Sequence, residues 1–332
     1  MKKDITFIVI ILVVLIGGRL LSWAGDMIPI YIANSGESSL SINDAVFGGD
    51  TSSSVKLKGQ PSFITRGKWM LWISFPDSDQ IVTLYGEGAK QLPKKVAVGR
   101  KPVYILGGDY WRRWKGSLGG YRFKKICVSN QGDNTVSVID EDSLKVVSTI
   151  PVGNAPEGLA LSPDDSLLAV VNAGSDNVML IQTTTLKVIG TYKVGKTPRR
   201  AAFAVYEPHL FVSLFGEDSV AVLNYRTGVL VKKIPVGRNP VDVLVTPGGH
   251  VLYVANQGTE DKPDNRVTRI KLPDLKLVRH FVCGQGCFGL ARQIDGPSLV
   301  VTNTFDNTST IIYNDGQTRT FKVGKRPTGV SF

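Results

Sequence analysis

A short phrase recurs along this chain: Val-Gly, two variable residues, Pro and an apolar run. It reads VGNAPEGL from residue 152, VGKTPRRA from 194 and VGRNPVDV from 236, so that Gly153, Gly195 and Gly237 are each 42 residues apart. Related phrases are KLKGQPSF from 56, VGRKPVYI from 98, CGQGCFGL from 283 and VGKRPTGV from 323. Seven copies at a nearly fixed period predict a repeat architecture, either a solenoid or a propeller.

Each period contains four strand-like runs. After the phrase at 152 they are GLALSP, LLAVVNAG, NVMLIQT and KVIGTYKV, rich in Val, Ile, Leu and Thr and without helical spacing. Four short antiparallel strands cannot bury both faces alone, but sheets stacked around an axis can. The sequence therefore predicts an all-β, seven-bladed β-propeller.

The chain ends predict how the ring closes. The last phrase ends at PTGVSF with a single strand, whereas the first strand-like runs, PIYIANSG and SLSIND, have no such strand before them. We therefore expect residues 28–332 to form the propeller, with the C-terminal strand pairing with the N-terminal blade. In each link, we expect Gly to allow a tight turn and Pro to set the entry into the inner strand.

These segments resemble a known repeat family. LYVANQG, VSVIDEDSLKVVSTIPVG and PEGLALSPDDSLLAVVNAGSDNV are similar to the YVTN-type propeller repeats of exported and cell-surface proteins, over roughly residues 30–332. The resemblance implies a superfamily of binding proteins, surface-layer proteins, propeller subunits of quinone-dependent amine dehydrogenases, haem-binding propellers and lactonases. It describes a scaffold, so function must be argued from its loops.

The N-terminus has the layout of a secretory signal. Lys2 and Lys3 precede an apolar run from residue 5 to 16, and Ser22 and Ala24 suit a cleavage site after residue 24. Residues 5–24 are also long enough to anchor the chain in an inner membrane. Both interpretations of residues 1–24 place the propeller outside the cytoplasm, in the periplasm or at the cell surface.

Charge favours an anionic partner. The chain has 39 Lys and Arg against 28 Asp and Glu, a net charge of +11. An envelope protein, an anionic polymer or a lipid surface suits this charge, with nucleic acid a less favoured partner. A basic surface that only keeps a monomeric propeller soluble explains it equally well.

Cations recur in the links, on the face that also carries the loops between second and third strands. They include Arg100, Arg238 and Arg326. Charged residues also follow the link prolines on three consecutive blades, at Glu157, Arg199, Arg200 and Asp242. We interpret these seven residues as a candidate ligand site at the channel mouth. A structural salt-bridge network, and acids that pair with the ring at Asp133, Asp176, Glu217, Asp218 and Asp306, are the alternatives.

Cysteine and histidine usage limits the chemistry. Cys283 and Cys287 flank the one link without Pro, where a local disulfide would brace the turn, and Cys127 lies in an apolar run. Only three histidines occur and Cys-x-x-Cys-His is absent. The sequence therefore predicts no metal site, no covalent c-type haem and no resident cofactor.

One period is longer than the others, 54 residues from Gly99 to Gly153. The excess, residues 107–125, is placed between the first two strands of its blade, on the face opposite the links. It contains Trp111, Arg112, Arg113, Trp114 and Lys115. Aromatic and cationic residues together predict a loop that binds a partner, or one that packs on the propeller flank.

Two classes of function follow. The first is an exported, non-catalytic binding scaffold for an anionic or protein partner in the cell envelope, favoured by the absence of a nucleophile motif such as Gly-x-Ser-x-Gly. The second is an enzyme or enzyme subunit with its site at the channel mouth: an amine dehydrogenase-like periplasmic propeller, a haem-binding or lactonase-type propeller, or a hydrolase or lyase using Glu157 and Asp242.

Overall fold

The chain forms seven four-stranded antiparallel sheets arranged as the blades of a β-propeller. The computed structural model describes residues 29–43, 52–67, 70–85, 94–107, 123–292 and 298–332. Its one short helical turn is a 3₁₀ segment at Pro76–Ser78. Within these residues no helix has the length and apolar character needed to cross a membrane. The predicted fold class is confirmed.

Blades 1 to 3 contain the first eleven strands and the last one. Blade 1 has the order β28 (Pro327–Ser331), β1 (Ile30–Asn34), β2 (Ser39–Asn43), β3 (Ser52–Lys56); blade 2 has β4 (Ile64–Arg66), β5 (Met70–Phe75), β6 (Gln80–Tyr85), β7 (Lys94–Ala97); blade 3 has β8 (Pro102–Leu106), β9 (Lys125–Asn130), β10 (Thr135–Asp140), β11 (Lys145–Pro151).

Blades 4 to 7 follow in chain order. Blade 4 has β12 (Pro156–Leu161), β13 (Leu167–Asn172), β14 (Asn177–Gln182), β15 (Lys187–Lys193); blade 5 has β16 (Pro198–Phe203), β17 (His209–Leu214), β18 (Ser219–Asn224), β19 (Leu230–Pro235); blade 6 has β20 (Pro240–Val245), β21 (Val251–Gly258), β22 (Pro263–Lys271), β23 (Lys276–Val282); blade 7 has β24 (Cys287–Arg292), β25 (Ser298–Asn303), β26 (Thr308–Tyr313), β27 (Thr318–Lys322).

The two ends of the chain close the ring within blade 1. Strand β28 pairs antiparallel with β1, with Tyr31 opposite Ser331 and Ile32 opposite Val330. The predicted closure is therefore confirmed. Apolar clusters bury the facing sides of neighbouring blades; one joins Ile30 and Ile32 of blade 1 to Val300 and Ile311 of blade 7. Burial between blades, rather than within one, supplies the core.

Hydroxyl groups on second strands join several of the blades to the next one around the ring. Ser129 of β9 donates to the Glu157 carbonyl (2.6 Å), and Ser213 of β17 donates to the Val241 carbonyl (3.1 Å). Thr302 of β25 donates to the Thr328 carbonyl at 2.8 Å. These bonds satisfy carbonyls at the irregular starts of the inner strands β12, β20 and β28, where pairing within the sheet is interrupted.

Two of the seven link glycines, Gly59 and Gly195, have positive φ values of 127° and 148°, as the expected turn role requires, but the other five have a different role. At Gly99, Gly153, Gly237, Gly284 and Gly324 the backbone φ is outside the left-handed region, so no special turn conformation requires Gly. A Cβ on any of them would instead lie within 2.7 Å of an Asn side-chain atom at the end of the second strand. Close packing, and not turn geometry, selects Gly at these positions.

Those Asn side chains hold the second and third strands together beneath the links. Asn130 Nδ2, for example, donates to Thr135 Oγ1 (3.0 Å) and to Ser137 Oγ (2.9 Å). Asn34, Asn256 and Asn303 make equivalent bonds. A side chain that replaced the link Gly would therefore disturb a buried polar contact as well as the packing.

In five of the links, the residue before Pro has a left-handed backbone conformation. Lys101, Ala155, Thr197, Asn239 and Arg326 have φ between 45° and 54°. Each donates its backbone N–H, at 2.8 to 2.9 Å, to a side-chain oxygen in a loop between second and third strands; the acceptors are Asp79, Asn134, Asp176, Asp218 and Asn307. The hydrogen bonds offset the strain of a left-handed non-Gly residue.

Replacing Gly237 by Ala tests the packing role. The added Cβ would lie 2.5 Å from Asn256 Cγ, so we expect Gly237→Ala to lower the free energy of unfolding by about 1–3 kcal/mol. Gly248→Ala in the same blade is the control, because its Cβ would make only ordinary contact at 3.4 Å. Urea unfolding followed by circular dichroism measures both. Equal effects of the two substitutions would contradict this role for Gly237.

Candidate functional site

The channel mouth brings four of the predicted site residues together. Glu157, Arg199, Arg200 and Asp242 begin the inner strands β12, β16 and β20 of three consecutive blades. Arg199 forms an ion pair with Glu157, and the pKa of both carboxyl groups responds to the Arg200 charge. These four residues therefore form one charge cluster, and a ligand site at this cluster stays a prediction.

Arg200 is buried in a cage of aromatic rings. Its side chain is only 8% exposed, and its Cζ lies 4.2 Å from the ring centre of Tyr104 and 4.5 Å from that of Phe63. Phe288, on the far side of the ring in blade 7, is 5.7 Å away. The guanidinium group therefore reaches rings of blades 2, 3 and 7 from blade 5, and cation–π contacts compensate part of its lost hydration.

The cage arises from one layer of equivalent positions, two residues after each link Pro or its equivalent. Large side chains occupy the layer in blades 2, 3 and 5, at Phe63, Tyr104 and Arg200. In blades 4, 7 and 1 the layer is occupied by Gly158, Gly289 and Gly329. A Cβ at any of these glycines would lie within 2.7 Å of the backbone of the next inner strand. The alternation of large residues and Gly lets the inner strands approach while three side chains fill the layer.

Part of the Arg200 head group is unsatisfied. Its Nη1 is buried and has no hydrogen-bond partner among the described residues. The same is true of Nε of Arg199, whose guanidinium also lies 4.7 Å from the Phe215 ring centre. A buried guanidinium with unused donors is suited to a carboxylate, a phosphate or water in the channel.

Asp242 has a structural role in addition to its charge. Its Oδ1 accepts the Val243 N–H and its Oδ2 accepts the Leu290 N–H, both at 2.9 Å, so the carboxyl group joins blade 6 to blade 7. Its side chain is almost fully buried. Burial raises the pKa of Asp242, while Arg200 and the two backbone donors oppose this effect.

Glu157 combines burial with direct pairing. It accepts from Gln131 Nε2 at 3.2 Å and pairs with Arg199. Burial raises the pKa of Glu157, and the nearby charges of Arg199, Arg200 and Lys101 only partly offset it. Two carboxyl groups with raised pKa therefore flank one permanently charged guanidinium, and protonation of either would make the cluster more positive.

The remaining predicted cations lie apart from this cluster. Arg238 donates from Nη2 to the Pro263 carbonyl (2.8 Å), and Arg326 pairs with Glu260 in the same blade 6 loop. Arg100 is exposed. Of the seven residues predicted at the channel mouth, four therefore form a compact group, and the three remaining cations lie outside it.

The acidic residues do not simply neutralise those cations, as the alternative interpretation expected. Asp133 accepts the Arg100 N–H (3.0 Å), Asp306 accepts the Gln285 N–H (2.8 Å), and Asp176 and Asp218 accept the link donors described above. Glu217 does both, accepting the Lys196 N–H (2.8 Å) and pairing with Lys233. Their main role is to fix the links, because backbone N–H groups need partners.

The two link cysteines are neighbours. Both are free thiols in this structure, and the Cys287 thiol lies by the Gly284 carbonyl (3.6 Å) and Asn303 Oδ1 (3.9 Å). Burial and a hydrogen bond with Cys283 raise the pKa of Cys287 well above its ordinary value. The disulfide stays a prediction, with the residues placed close together. Cys127 is buried in the blade 3 core, which raises the pKa of its thiol to about 12.

Sequence reasoning missed the aromatic part of the site. Phe63 and Tyr104 occupy the same position after the link Pro as Arg200, a signal that was available from the repeat alignment. Gln131 and Phe215, from loops between second and third strands, had no such signal. The described residues hold no group of three His, Cys, Asp or Glu side chains arranged to bind a metal ion. The aromatic-basic segment with Trp111, Arg112, Arg113, Trp114 and Lys115 lies outside the described residues.

Comparisons with known proteins establish the architecture. No family model matches the sequence, and no curated protein matches it. The structure is similar to Kuenenia stuttgartiensis hydrazine synthase, with a TM-score of 0.67 and 19% identity over 91% of this chain and 100% of that chain. It is also similar to a functionally unknown protein from Desulfotomaculum acetoxidans (TM-score 0.70, 13% identity, 91% and 97% covered) and to a streptogramin B lyase (0.67, 13%, 93% of each). At these identities the similarity shows the propeller fold alone.

Stability as a function of pH tests the environment of Glu157. A folded-state pKa above the unfolded value of about 4.3 stabilises the fold at low pH, and this contribution is lost as the pH rises through the raised value. Glu157→Gln removes the effect. We therefore expect the free energy of unfolding of the variant, minus that of the wild type, to increase from pH 4 to pH 7.

Urea unfolding at several pH values measures this difference, with Glu260→Gln at the exposed pair with Arg326 as the control. A difference that decreases with rising pH would show that pairing with Arg199 outweighs burial.

Thiol counting tests the link cysteines. In an oxidising compartment we expect the Cys283 and Cys287 thiols to form a disulfide, because only Gly284, Gln285 and Gly286 separate them and their side chains are in contact. Labelling of the denatured exported protein should then detect one free thiol, at Cys127. Detection of three thiols would overturn the prediction, and a Cys287→Ser variant serves as the reference for Cys283 alone.

Proposed function

We propose that this chain is an exported, non-catalytic β-propeller scaffold that binds a small anionic ligand at its channel mouth. The observation that carries the proposal is Arg200, a buried guanidinium in an aromatic cage with an unused Nη1 donor. A planar fork of N–H donors matches a carboxylate or phosphate. The +11 net charge would raise the local concentration of such ligands.

The setting of Arg200 supports selectivity for a small ligand. Three rings border the guanidinium, and Arg199 contributes a second unused donor at the entrance. Protonation of Glu157 or Asp242 would reduce the negative charge that repels an anion. Binding should therefore strengthen as the pH falls, since the proton and the anion favour each other's uptake.

Export and attachment belong to the same proposal. Residues 1–24 have the features of a signal sequence or membrane anchor, and the YVTN-type repeats resemble those of exported proteins. The aromatic-basic segment 107–125 would then contact an envelope protein, an anionic polymer or a lipid surface. Charge and aromatic content support this assignment.

Succinate titration of the full-length protein tests the ligand site. We expect succinate to bind in low-salt buffer, and Arg200→Met to weaken binding at least about tenfold, because the substitution removes one charge-assisted bidentate contact. Methionine fills the aromatic cage, which preserves packing. Isothermal titration calorimetry at pH 6 and pH 8 measures both affinity and its pH dependence.

Arg226→Gln is the matched control, since Arg226 is an exposed arginine at the opposite end of the same blade. Equal loss of succinate binding in Arg200→Met and Arg226→Gln would assign the effect to net charge, and no binding to the wild type would overturn the channel-mouth site for dicarboxylates.

An acid–base enzyme is the second candidate, favoured by the raised pKa of Glu157 and Asp242 on either side of Arg200. A raised pKa makes a carboxyl group a better candidate for a general acid. Metal analysis and an absorbance spectrum of the natively exported protein separate the dehydrogenase-like versions from the scaffold. A visible chromophore or stoichiometric metal would overturn the non-catalytic proposal.

A further inference from the structure

A cavity lies between blades 6 and 7, on the face of the ring opposite the links. Its volume is about 400 Å³, within the range of small-ligand sites. It is bounded by the turn between β20 and β21, by the end of β24 and by the turn between β26 and β27. None of the channel-mouth residues lines it.

Three arginines from three different strands line this cavity: Arg269 of β22, Arg279 of β23 and Arg292 of β24. Arg269 and Arg279 are directly opposite each other in the β22–β23 ladder. Like charges in that position destabilise a sheet. On neighbouring blade 5 the corresponding pair is Val222 and Lys232, with a single charge. The doubled charge in blade 6 is therefore not required by the fold.

The donors of these arginines are incompletely used. Nε of Arg269 and Nε of Arg292 are buried and have no hydrogen-bond partner among the described residues. Arg279 is held in place by the Phe281 ring, 4.3 Å from its Cζ, and by close packing on Gly316, where a Cβ would lie 2.7 Å from Nη1. Fixed guanidinium groups with unused donors resemble a preformed anion site.

No carboxylate is found among the described residues that line the cavity. Asp315 is adjacent in sequence to two of them, but its Oδ1 accepts the Gln317 N–H at 2.9 Å. Tyr253 and Tyr313 add aromatic surface and hydroxyl groups to the wall. The site thus has an excess of positive charge beside an apolar surface.

We propose that this cavity binds a phosphate group. Three guanidinium groups around one space suit an anion with several oxygens and a charge near −2, which phosphate carries near neutral pH. A phosphate would also relieve the repulsion between Arg269 and Arg279. The volume and the tyrosines leave room for an organic group attached to the phosphate. The assignment is independent of the channel-mouth site, with which it shares no residue.

The experiment is a calorimetric titration of the full-length protein with inorganic phosphate and with phenyl phosphate. We expect Arg269→Gln and Arg292→Gln each to weaken binding about tenfold or more through loss of a charge-assisted bidentate contact. Arg279→Gln, at an exposed position, gives a third variant whose folding is not at risk. Lys232→Gln, at the position in blade 5 that corresponds to Arg279, is the matched control and should keep wild-type affinity.

A second readout separates a ligand site from a structural role. Without ligand, Arg269→Gln should keep or raise the melting temperature, because it removes a like-charge pair. Tighter binding of phenyl phosphate assigns the site to an organic phosphate, and equal affinity assigns it to inorganic phosphate. Unchanged affinity in the arginine variants, an equal loss in Lys232→Gln, or no binding to the wild type would overturn the proposal.

Discussion

The pairing of β28 with β1 is the constraint on which the rest of the structure depends. Each blade buries its faces against its two neighbours, so an open row of seven sheets would expose one face at each end. Closure within a blade, with three strands from the N-terminal part and one from the C-terminus, makes the ring continuous. Between blades, hydroxyl bonds such as Ser129 to Glu157 and Thr302 to Thr328 maintain the spacing of the inner strands.

Ring closure also creates the chemical environment of the channel. Inner strands that converge on an axis bring side chains from distant parts of the sequence into one layer, where there is room for only a few large groups. Arg200, Phe63, Tyr104 and Phe288 fill that space, and Glu157 and Asp242 lose hydration beside them. Charge in this low-dielectric region is costly unless it is paired or hydrogen-bonded, and the ligand site proposed at the channel mouth rests on this cost.

The two proposed anion sites lie on opposite faces of the ring and differ in their surroundings. On the link face, Arg200 is buried among rings and its charge is balanced by carboxyl groups. On the opposite face, the three arginines between blades 6 and 7 have no carboxylate among the described lining residues. The first arrangement favours a small carboxylate whose uptake depends on pH, and the second favours a phosphate. Both use departures from the repeat: blade 5 has a single charge where blade 6 has the Arg269–Arg279 pair, and blades 4, 7 and 1 have Gly where blade 5 has Arg200.

The repeat in the sequence determined the seven blades, their four strands and the closing strand. Apolar runs that alternate with turn residues are a local pattern, and this pattern recurs in every repeat. It also placed Glu157, Arg199, Arg200 and Asp242 at the first or second position after a link Pro. It did not show why the link has Gly, since the contact with Asn256 or Asn130 forms only between folded strands. The aromatic cage and the Arg269–Arg279 pair likewise depend on which blades face each other across the ring and on strand register. Those contacts join residues far apart in the chain, so only the tertiary structure decided them.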